Sequence, residues 1–134
     1  MKQTLFLILF LYGTLALAAQ QKSIAEKLAQ EQLDAYNKRD IEAFLNPYAD
    51  TVAVYLYPNQ FLYKGKETMR KQYADMFKNT PDLFCTIKSR IAVGNKVIDE
   101  ESVVFNKAQP AMHAVAIYTI LNDKIVRVDF ITER

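Results

Sequence analysis

Apolar residues recur with helical spacing in the segment that begins at residue 23. Ser23 can cap a helix, and Glu26 three residues later completes a capping box. Charged residues fill the face opposite the apolar positions, which are Ile24, Leu28, Leu33, Ala35 and Tyr36. Asp40 can cap a second, shorter helix that ends around Asn46-Pro47, because a residue before proline is pushed out of the helical region.

The pattern then changes to that of strands. Val52 to Tyr57 predicts a strand, and Pro58 to Gln60 turn the chain back into a short second strand at Phe61 to Tyr63. Gly65 precedes a third helical pattern, which ends near Thr80-Pro81.

From Leu83 onward the pattern alternates and predicts four long strands. The turns between them fall at Gly94-Asn95, at Asn106 to Pro110 and at Asn122-Asp123. Helices first and an antiparallel meander last are typical of an α+β fold, in which the helices cover one face of a curved sheet.

Residues 1–19 have the features of a signal peptide. Lys2 supplies a positive start, Leu5 to Leu11 is an unbroken apolar run, and Ala16 to Ala18 form an A-x-A cleavage site. We expect residues 20–134 to be one exported domain, periplasmic or secreted, with no stable membrane anchor after cleavage. A retained anchor is the alternative, but the apolar run is shorter than the roughly 20 residues that cross a bilayer.

Composition narrows the class of function. The 134 residues are 51% hydrophobic and 24% charged with a net charge of +2, which fits one globular domain and argues against nucleic acid as a partner. A single cysteine, Cys85, excludes an internal disulfide framework and is either buried or an intermolecular partner. A single histidine, His113, argues against a metal site, and the chain has no glycine-rich phosphate loop, so we expect no cofactor.

Short motifs in a fixed order extend over nearly the whole of residues 20–134. The motifs are Ala35-Tyr36-Asn37, Asp40 to Phe44, Tyr48-Ala49-Asp50, Gly65, Arg90-Ile91, Gly94-Asn95, Val97 to Asp99 with Glu101, Ile117-Tyr118 and Lys124-Ile125. Their order and spacing resemble the SnoaL-like branch of the superfamily of nuclear transport factor 2 and ketosteroid isomerase. The resemblance implies a cone-shaped domain whose helices and curved sheet enclose a pocket, and members range from isomerases and cyclases to binding proteins.

The same resemblance allows the ketosteroid isomerase roles to be checked at matching positions. The carboxylate base would fall at Leu56 or Tyr57, the oxyanion tyrosine near Gln32, and the oxyanion acid near Ala116. None of these residues can perform its role. We therefore do not expect a steroid isomerase of that design.

Charged residues face each other across the hairpin that turns at Gly94-Asn95. Counting from the turn predicts Arg90 opposite Asp99 and Lys88 opposite Glu101 on one face. One interpretation is a pair of solvated ion pairs; the other is a charged pocket wall in which Asp99 or Glu101 acts as a general base.

His113 and Tyr118 lie on the strand that follows. His113 is either a packing residue or a base paired with Asp129, and the second interpretation needs a bulge, since counting from Asn122-Asp123 sets Ala116 opposite Asp129. Tyr118 shares a face with small residues and is expected to neighbour Arg127 and Asp129. The candidate ligand-binding residues are Tyr57, Arg90, Asp99, Glu101, Ala116 and Tyr118, and the catalytic candidates are Asp99, Glu101 and His113.

Three classes of function remain. The first is a binding domain for a small apolar molecule, the second an isomerase, cyclase or hydrolase that uses an acidic pocket residue, and the third a protein-interaction domain. Both faces of the strand around Ile117 and Tyr118 are apolar, whereas a face in water should be polar. A second copy of the chain on the outer face would explain this, so we expect a homodimer.

Overall fold

The computed structural model describes residues 22–133, so the predicted signal peptide lies outside the described residues. The helices are α1 (Ile24–Lys38), α2 (Ile41–Leu45) and α3 (Lys66–Asn79). The strands are β1 (Tyr48–Leu56), β2 (Gln60–Lys64), β3 (Phe84–Val93), β4 (Lys96–Val104), β5 (Met112–Leu121) and β6 (Lys124–Thr132). No helix within this part of the chain has the length and apolar character needed to cross a membrane.

Both predicted helix caps are present. The hydroxyl of Ser23 accepts a hydrogen bond from the amide of Glu26 at 3.2 Å, and the Glu26 carboxylate accepts one from the amide of Ser23 at 2.9 Å. The carboxylate of Asp40 accepts a hydrogen bond from the amide of Ala43 at 3.1 Å at the start of α2. These caps fix where the two helices begin. Because α1 ends at Lys38 and Asp40 already caps α2, the connection between the two helices is short.

The six strands form one sheet in the order β2-β1-β6-β5-β4-β3. β1 runs parallel to β6, and every other neighbouring pair is antiparallel. The three helices pack on one face of this curled sheet and bury a continuous hydrophobic core there. The predicted α+β fold with N-terminal helices on a mostly antiparallel sheet is therefore confirmed.

Two irregularities in the sheet correct the predicted strand registers. Arg90 lies opposite Asp99 as expected, but a bulge at Lys88 places Ile87 opposite Glu101. The predicted pairing of Lys88 with Glu101 was therefore wrong, and Lys88 is exposed. Simple counting from a turn fails here because one extra residue in a strand shifts every pair beyond it.

The second irregularity lies between Thr119 and Ile120 in β5. It places Ala116 opposite Phe130 rather than Asp129, and Tyr118 opposite Val128. Arg127 and Asp129 are therefore not neighbours of Tyr118 on its face. They pair with the alternate residues of β5, on the face of the sheet away from the helices.

The two faces of β5 differ in burial. Ala114, Ala116, Tyr118 and Ile120 are buried under the helices and form part of the inner face. His113, Val115, Ile117 and Thr119 alternate with them on the outer face, where burial is partial or absent.

The edge strand β3 is covered by α1. The side-chain amide of Asn37 donates to the carbonyl of Cys85 at 2.9 Å and accepts from its amide at 2.8 Å, as a neighbouring strand would. Cys85 is buried, which confirms the first of its two interpretations. Burial raises the pKa of its thiol to about 12, so it is not a reactive thiolate.

Candidate functional site

A cavity of about 230 Å³ lies between the helices and the inner face of the sheet. One side of it, here called the aromatic wall, is formed by one ring from each helix and one from β1: Tyr36, Phe44, Tyr48 and Tyr73. The ring centroid of Phe44 lies 4.4 Å from that of Tyr73 and 5.3 Å from that of Tyr48. The opposite side comes from the sheet and includes Glu101, Val103, Ala114, Tyr118, Phe130 and Thr132.

Glu101 is the one charged residue among those that line the cavity in the described chain. Its residue surface is only 7% exposed. Burial raises the pKa of its carboxyl group to about 7, and the negative charge of Asp99 adds to this effect, while a hydrogen bond from Tyr118 and the charge of Arg90 oppose it. Glu101 can therefore exist as acid or carboxylate near neutral pH.

A chain of hydrogen bonds between buried side chains ends on Glu101. The Tyr48 hydroxyl donates to Oε1 of Gln32 at 3.2 Å, Nε2 of Gln32 donates to the Tyr118 hydroxyl at 3.0 Å, and that hydroxyl donates to Oε1 of Glu101 at 3.3 Å. Nε2 of Gln32 also donates to the carbonyl of Ala29 at 3.1 Å. Because a carbonyl only accepts, the amide nitrogen must face Ala29, and this fixes the direction of the whole chain.

Asp99 lies on the same face of β4 as Glu101, two residues earlier, and is 0% exposed. Arg90 holds it with two hydrogen bonds, Nε to Oδ1 at 2.6 Å and Nη2 to Oδ2 at 2.7 Å. The remaining nitrogen, Nη1, donates to the side chain of Gln30 at 2.9 Å. Each nitrogen of Arg90 thus bonds Asp99 or Gln30, and Arg90 acts on Glu101 only through its charge, without an ion pair.

The structure brings together most of the sequence-predicted binding residues, and separates one. Glu101 and Tyr118 line the cavity. Ala116 and the ion pair of Arg90 with Asp99 lie on the same inner face beside it. Tyr57 follows the end of β1, is 59% exposed and does not line the cavity; its neighbour Leu56 does.

The catalytic candidate His113 lies on the outer face, away from the cavity. Its Nδ1 lies 2.9 Å from a carboxylate oxygen of Glu133, and its Nε2 lies 3.0 Å from one of Glu100. These two carboxylates raise the pKa of the imidazole. The suggested pair of His113 with Asp129 is not formed, because Asp129 is held by Arg127 at 2.6 Å and 2.8 Å.

The sequence patterns predict neither the aromatic wall nor the role of Gln32. The resemblance places Gln32 where a catalytic tyrosine would stand, yet Gln32 connects two tyrosines inside the cavity. One signal was available: Gln32 follows Ala29 by three residues on the buried face of α1, and a polar residue there needs hydrogen-bond partners.

We found no cluster of three or more His, Cys, Asp or Glu side chains between residues 22 and 133 that could hold a metal ion. The polar groups of the cavity are instead phenol, amide and carboxyl groups around an apolar space. Small-molecule sites typically have this composition, and a carboxyl group in such a site is of the type that can transfer protons.

Comparison with known proteins gives one match to a family model. The model of the SnoaL-like domain matches residues 29–128. This range contains the aromatic wall, Glu101 and Tyr118. None of the curated proteins matches the chain.

Several solved structures share the fold. An uncharacterized cystatin-fold protein from Novosphingobium aromaticivorans is 28% identical, with a TM-score of 0.73 over 83% of this chain and 99% of that one. A "putative ketosteroid isomerase" from Kribbella flavida is 19% identical, with a TM-score of 0.67 over 83% of this chain and 78% of that one. A "putative polyketide cyclase" from Sinorhizobium meliloti is 13% identical, with a TM-score of 0.67 over 82% and 100%.

Proposed function

This chain belongs to the SnoaL-like domain family, and on that premise we propose that it binds a small apolar molecule in the cavity, with Glu101 as the polar contact. The observation that carries the proposal is a buried carboxyl group facing an apolar, aromatic space. A buried carboxyl group with one long hydrogen bond and no ion pair destabilises the fold when it is charged, and groups of this kind are concentrated at functional sites. At about 230 Å³ the cavity is smaller than the roughly 300–1,000 Å³ of sites for drug-sized ligands, which favours a compact ligand.

A neutral probe tests whether the cavity binds ligands at all. We expect 2-phenylethanol to shift the backbone NMR signals of residues on the inner face, such as Ala114 and Tyr118. Ala114→Leu should weaken binding at least ten-fold, because the added atoms occupy the cavity. Val115→Leu, one residue along β5 on the outer face, is the matched control and should bind as the unmodified chain does. Shifts confined to the outer face, or equal binding by Ala114→Leu, would contradict the proposal.

A second candidate function is proton transfer by an isomerase, cyclase or hydrolase. It is favoured by the pKa of Glu101, about 7, since general acids and bases work best when their pKa is near the operating pH. Two fold neighbours carry names of this kind, a "putative ketosteroid isomerase" and a "putative polyketide cyclase". As a carboxylate, Glu101 could take a proton from a carbon beside a carbonyl group and return it as the acid.

Exchange of deuterium into a ketone separates the two functions. An enzyme of this type should exchange the α-hydrogens of 4-phenylbutan-2-one for solvent deuterium faster than buffer does, and Glu101→Gln should remove the enhancement. Binding without any enhanced exchange would leave the binding function and exclude this form of proton transfer.

We also propose that the chain forms a homodimer and that it is exported. The outer face presents an apolar band of residues from four strands, Ile91, Ile98, Val115, Ile117 and Ile131, to which a second copy could dock.

For export, N-terminal sequencing of the protein from a secreting host should give a start at Ala19 or Gln20. An intact Met1 in the membrane fraction would contradict it.

A further inference from the structure

The hydrogen-bond chain determines what Tyr48, Gln32 and Tyr118 offer to a ligand in the cavity. The Tyr48 hydroxyl donates its proton to Gln32, and the Tyr118 hydroxyl donates its proton to Glu101. The side-chain amide of Gln32 donates to the Tyr118 hydroxyl and to the carbonyl of Ala29. The two hydroxyls can therefore only accept hydrogen bonds from a ligand, and the chain of donors ends at a carboxyl group.

Glu101 itself is poorly satisfied. The hydrogen bond from Tyr118 is 3.3 Å long, beyond the usual range of about 2.5–3.0 Å for such bonds, and it reaches only Oε1. Within residues 22–133, Oε2 of Glu101 receives no side-chain hydrogen bond. As a carboxylate, Glu101 would therefore present an unpaired negative charge to the cavity.

No cation of the described chain forms an ion pair with Glu101, although the charge of Arg90 partly opposes the rise in its pKa. None of the residues lining the cavity is Lys, Arg or His. The guanidinium of Arg90 hydrogen-bonds Asp99 and Gln30 instead. A buried carboxylate without a cation is strongly disfavoured, so either a proton or a cationic ligand must compensate it.

The aromatic wall on the other side of the cavity also favours a cation. Ring faces carry negative partial charge and attract ammonium groups within about 6 Å. The rings are close enough to Glu101 for its charge to add to the effect of burial in raising the pKa of Tyr36, Tyr48 and Tyr73. A group placed in the cavity therefore meets a carboxylate, hydroxyl lone pairs and aromatic rings together.

We infer that the ligand of this cavity is a small hydrophobic amine, bound as its ammonium ion between Glu101 and the aromatic wall. The inference rests on the proposed binding function and names its ligand class. An ammonium group brings three donors and a positive charge to the carboxylate of Glu101 and to the Tyr48 and Tyr118 hydroxyls, whose own protons are already hydrogen-bonded. The hydrocarbon part occupies the apolar remainder of the cavity. A ligand whose polar group only accepts would meet no donor from Tyr48, Gln32 or Tyr118.

The pH dependence of binding distinguishes this ligand from a neutral one. An ammonium ion needs ionised Glu101, so its affinity should rise between pH 5.5 and pH 8, where an alkylamine stays protonated. A ketone needs the protonated acid as a donor, so its affinity should fall over the same range. The titratable and charged groups that face Glu101 from the packed elements are Tyr36, Tyr48, Tyr73, Cys85, Arg90, Asp99 and Tyr118.

Three probes and one substitution form the test. At pH 8 we expect calorimetry to show that 2-phenylethylamine binds at least ten-fold more tightly than either of the other two probes. These are 2-phenylethanol, which has the same carbon skeleton as the amine, and 4-phenylbutan-2-one. Glu101→Gln should lower the affinity for the amine at least ten-fold and leave that for the alcohol within about two-fold. Glu100→Gln, the half-buried neighbour on the outer face, is the matched control and should bind the amine as the unmodified chain does.

The outcomes separate the ligand class from the binding function. If the alcohol or ketone binds in the cavity as tightly as the amine, the amine assignment is overturned and the binding function stands. If the amine binds in the cavity but is insensitive to Glu101→Gln, the amine assignment and the role of Glu101 as the polar contact are both overturned, and only binding in the cavity stands. If none of the three probes binds, both are overturned. A variant that unfolds is recognised by its circular dichroism, and the comparison of amine with alcohol on the unmodified chain then decides.

Discussion

The Tyr118 hydroxyl donates to Oε1 of Glu101 across 3.3 Å, and both side chains belong to the inner face of the sheet, on the neighbouring strands β5 and β4. The contact joins the end of a directed hydrogen-bond chain to Glu101, the one charged residue that lines the cavity within residues 22–133. It opposes the rise in the pKa of Glu101 that burial causes, without cancelling it. The stability of the fold and the chemistry of the site therefore depend on the same carboxyl group.

Stability should fall as the pH rises from about 4.5 to about 7. The folded pKa of Glu101, about 7, lies above its ordinary value of 4.5, so in this range the folded protein holds a proton that the unfolded chain has lost. Stabilisation from this group is complete below the unfolded pKa and is lost as the pH passes the folded pKa. At roughly 1.4 kcal/mol per pKa unit, we expect a loss of about 3 kcal/mol, measured by urea unfolding.

Glu101→Gln should remove this decline, because glutamine does not titrate. His113 contributes a decline of the same sign, since its pKa is raised by Glu133 and Glu100. The free energy of unfolding is therefore compared, as a function of pH, between the His113→Gln variant and the double variant that also carries Glu101→Gln. Equal pH profiles for the two proteins would refute the assignment of a raised pKa to Glu101.

The ion pair beneath the cavity should be important for folding. Arg90→Met leaves Asp99 buried and unpaired, which typically costs about 3–5 kcal/mol. Arg70→Met is the control, since Arg70 pairs with the exposed Glu42 and Glu67 and such surface pairs contribute about 0–1 kcal/mol. Denaturant unfolding of both variants measures the difference, and losses of equal size would argue against a buried, structural pair.

We expect no isomerisation of a ketosteroid with a β,γ double bond. Gln32 and Leu56 line the cavity at two of the positions where the resemblance places catalytic groups, and Ala116 occupies the third. Neither an amide nor an alkyl group can serve as the carboxylate base. A spectrophotometric assay for the conjugated product checks this, and turnover abolished by Asp99→Asn or Glu101→Gln would overturn it.

The proposed homodimer predicts opposite effects for two adjacent residues of β5. Ile117 lies on the outer face, so Ile117→Asp should give a folded monomer. Tyr118 is buried on the inner face, so Tyr118→Asp should unfold the core. Light scattering and circular dichroism measure the two effects. A monomeric unmodified chain at micromolar concentration would refute the dimer.

The order of elements was predictable because helix caps, prolines and tight turns leave local signals in the sequence. The register of Arg90 with Asp99 followed from the turn at Gly94-Asn95, since only three residues separate each from the turn. The bulge at Lys88 leaves no comparable signal, so the partner of Glu101 was misplaced. The aromatic wall could not be predicted, because its rings come from four elements that only tertiary packing brings together.

A carbon-13 NMR titration of the Glu101 carboxyl group tests the central claim most directly, namely that this buried group is the polar contact of the cavity. We predict a pKa of about 7 in the free chain, falling by at least one unit when 2-phenylethylamine is present, because a bound cation stabilises the carboxylate. A pKa near the ordinary value of 4.5, unchanged by the amine, would contradict the account.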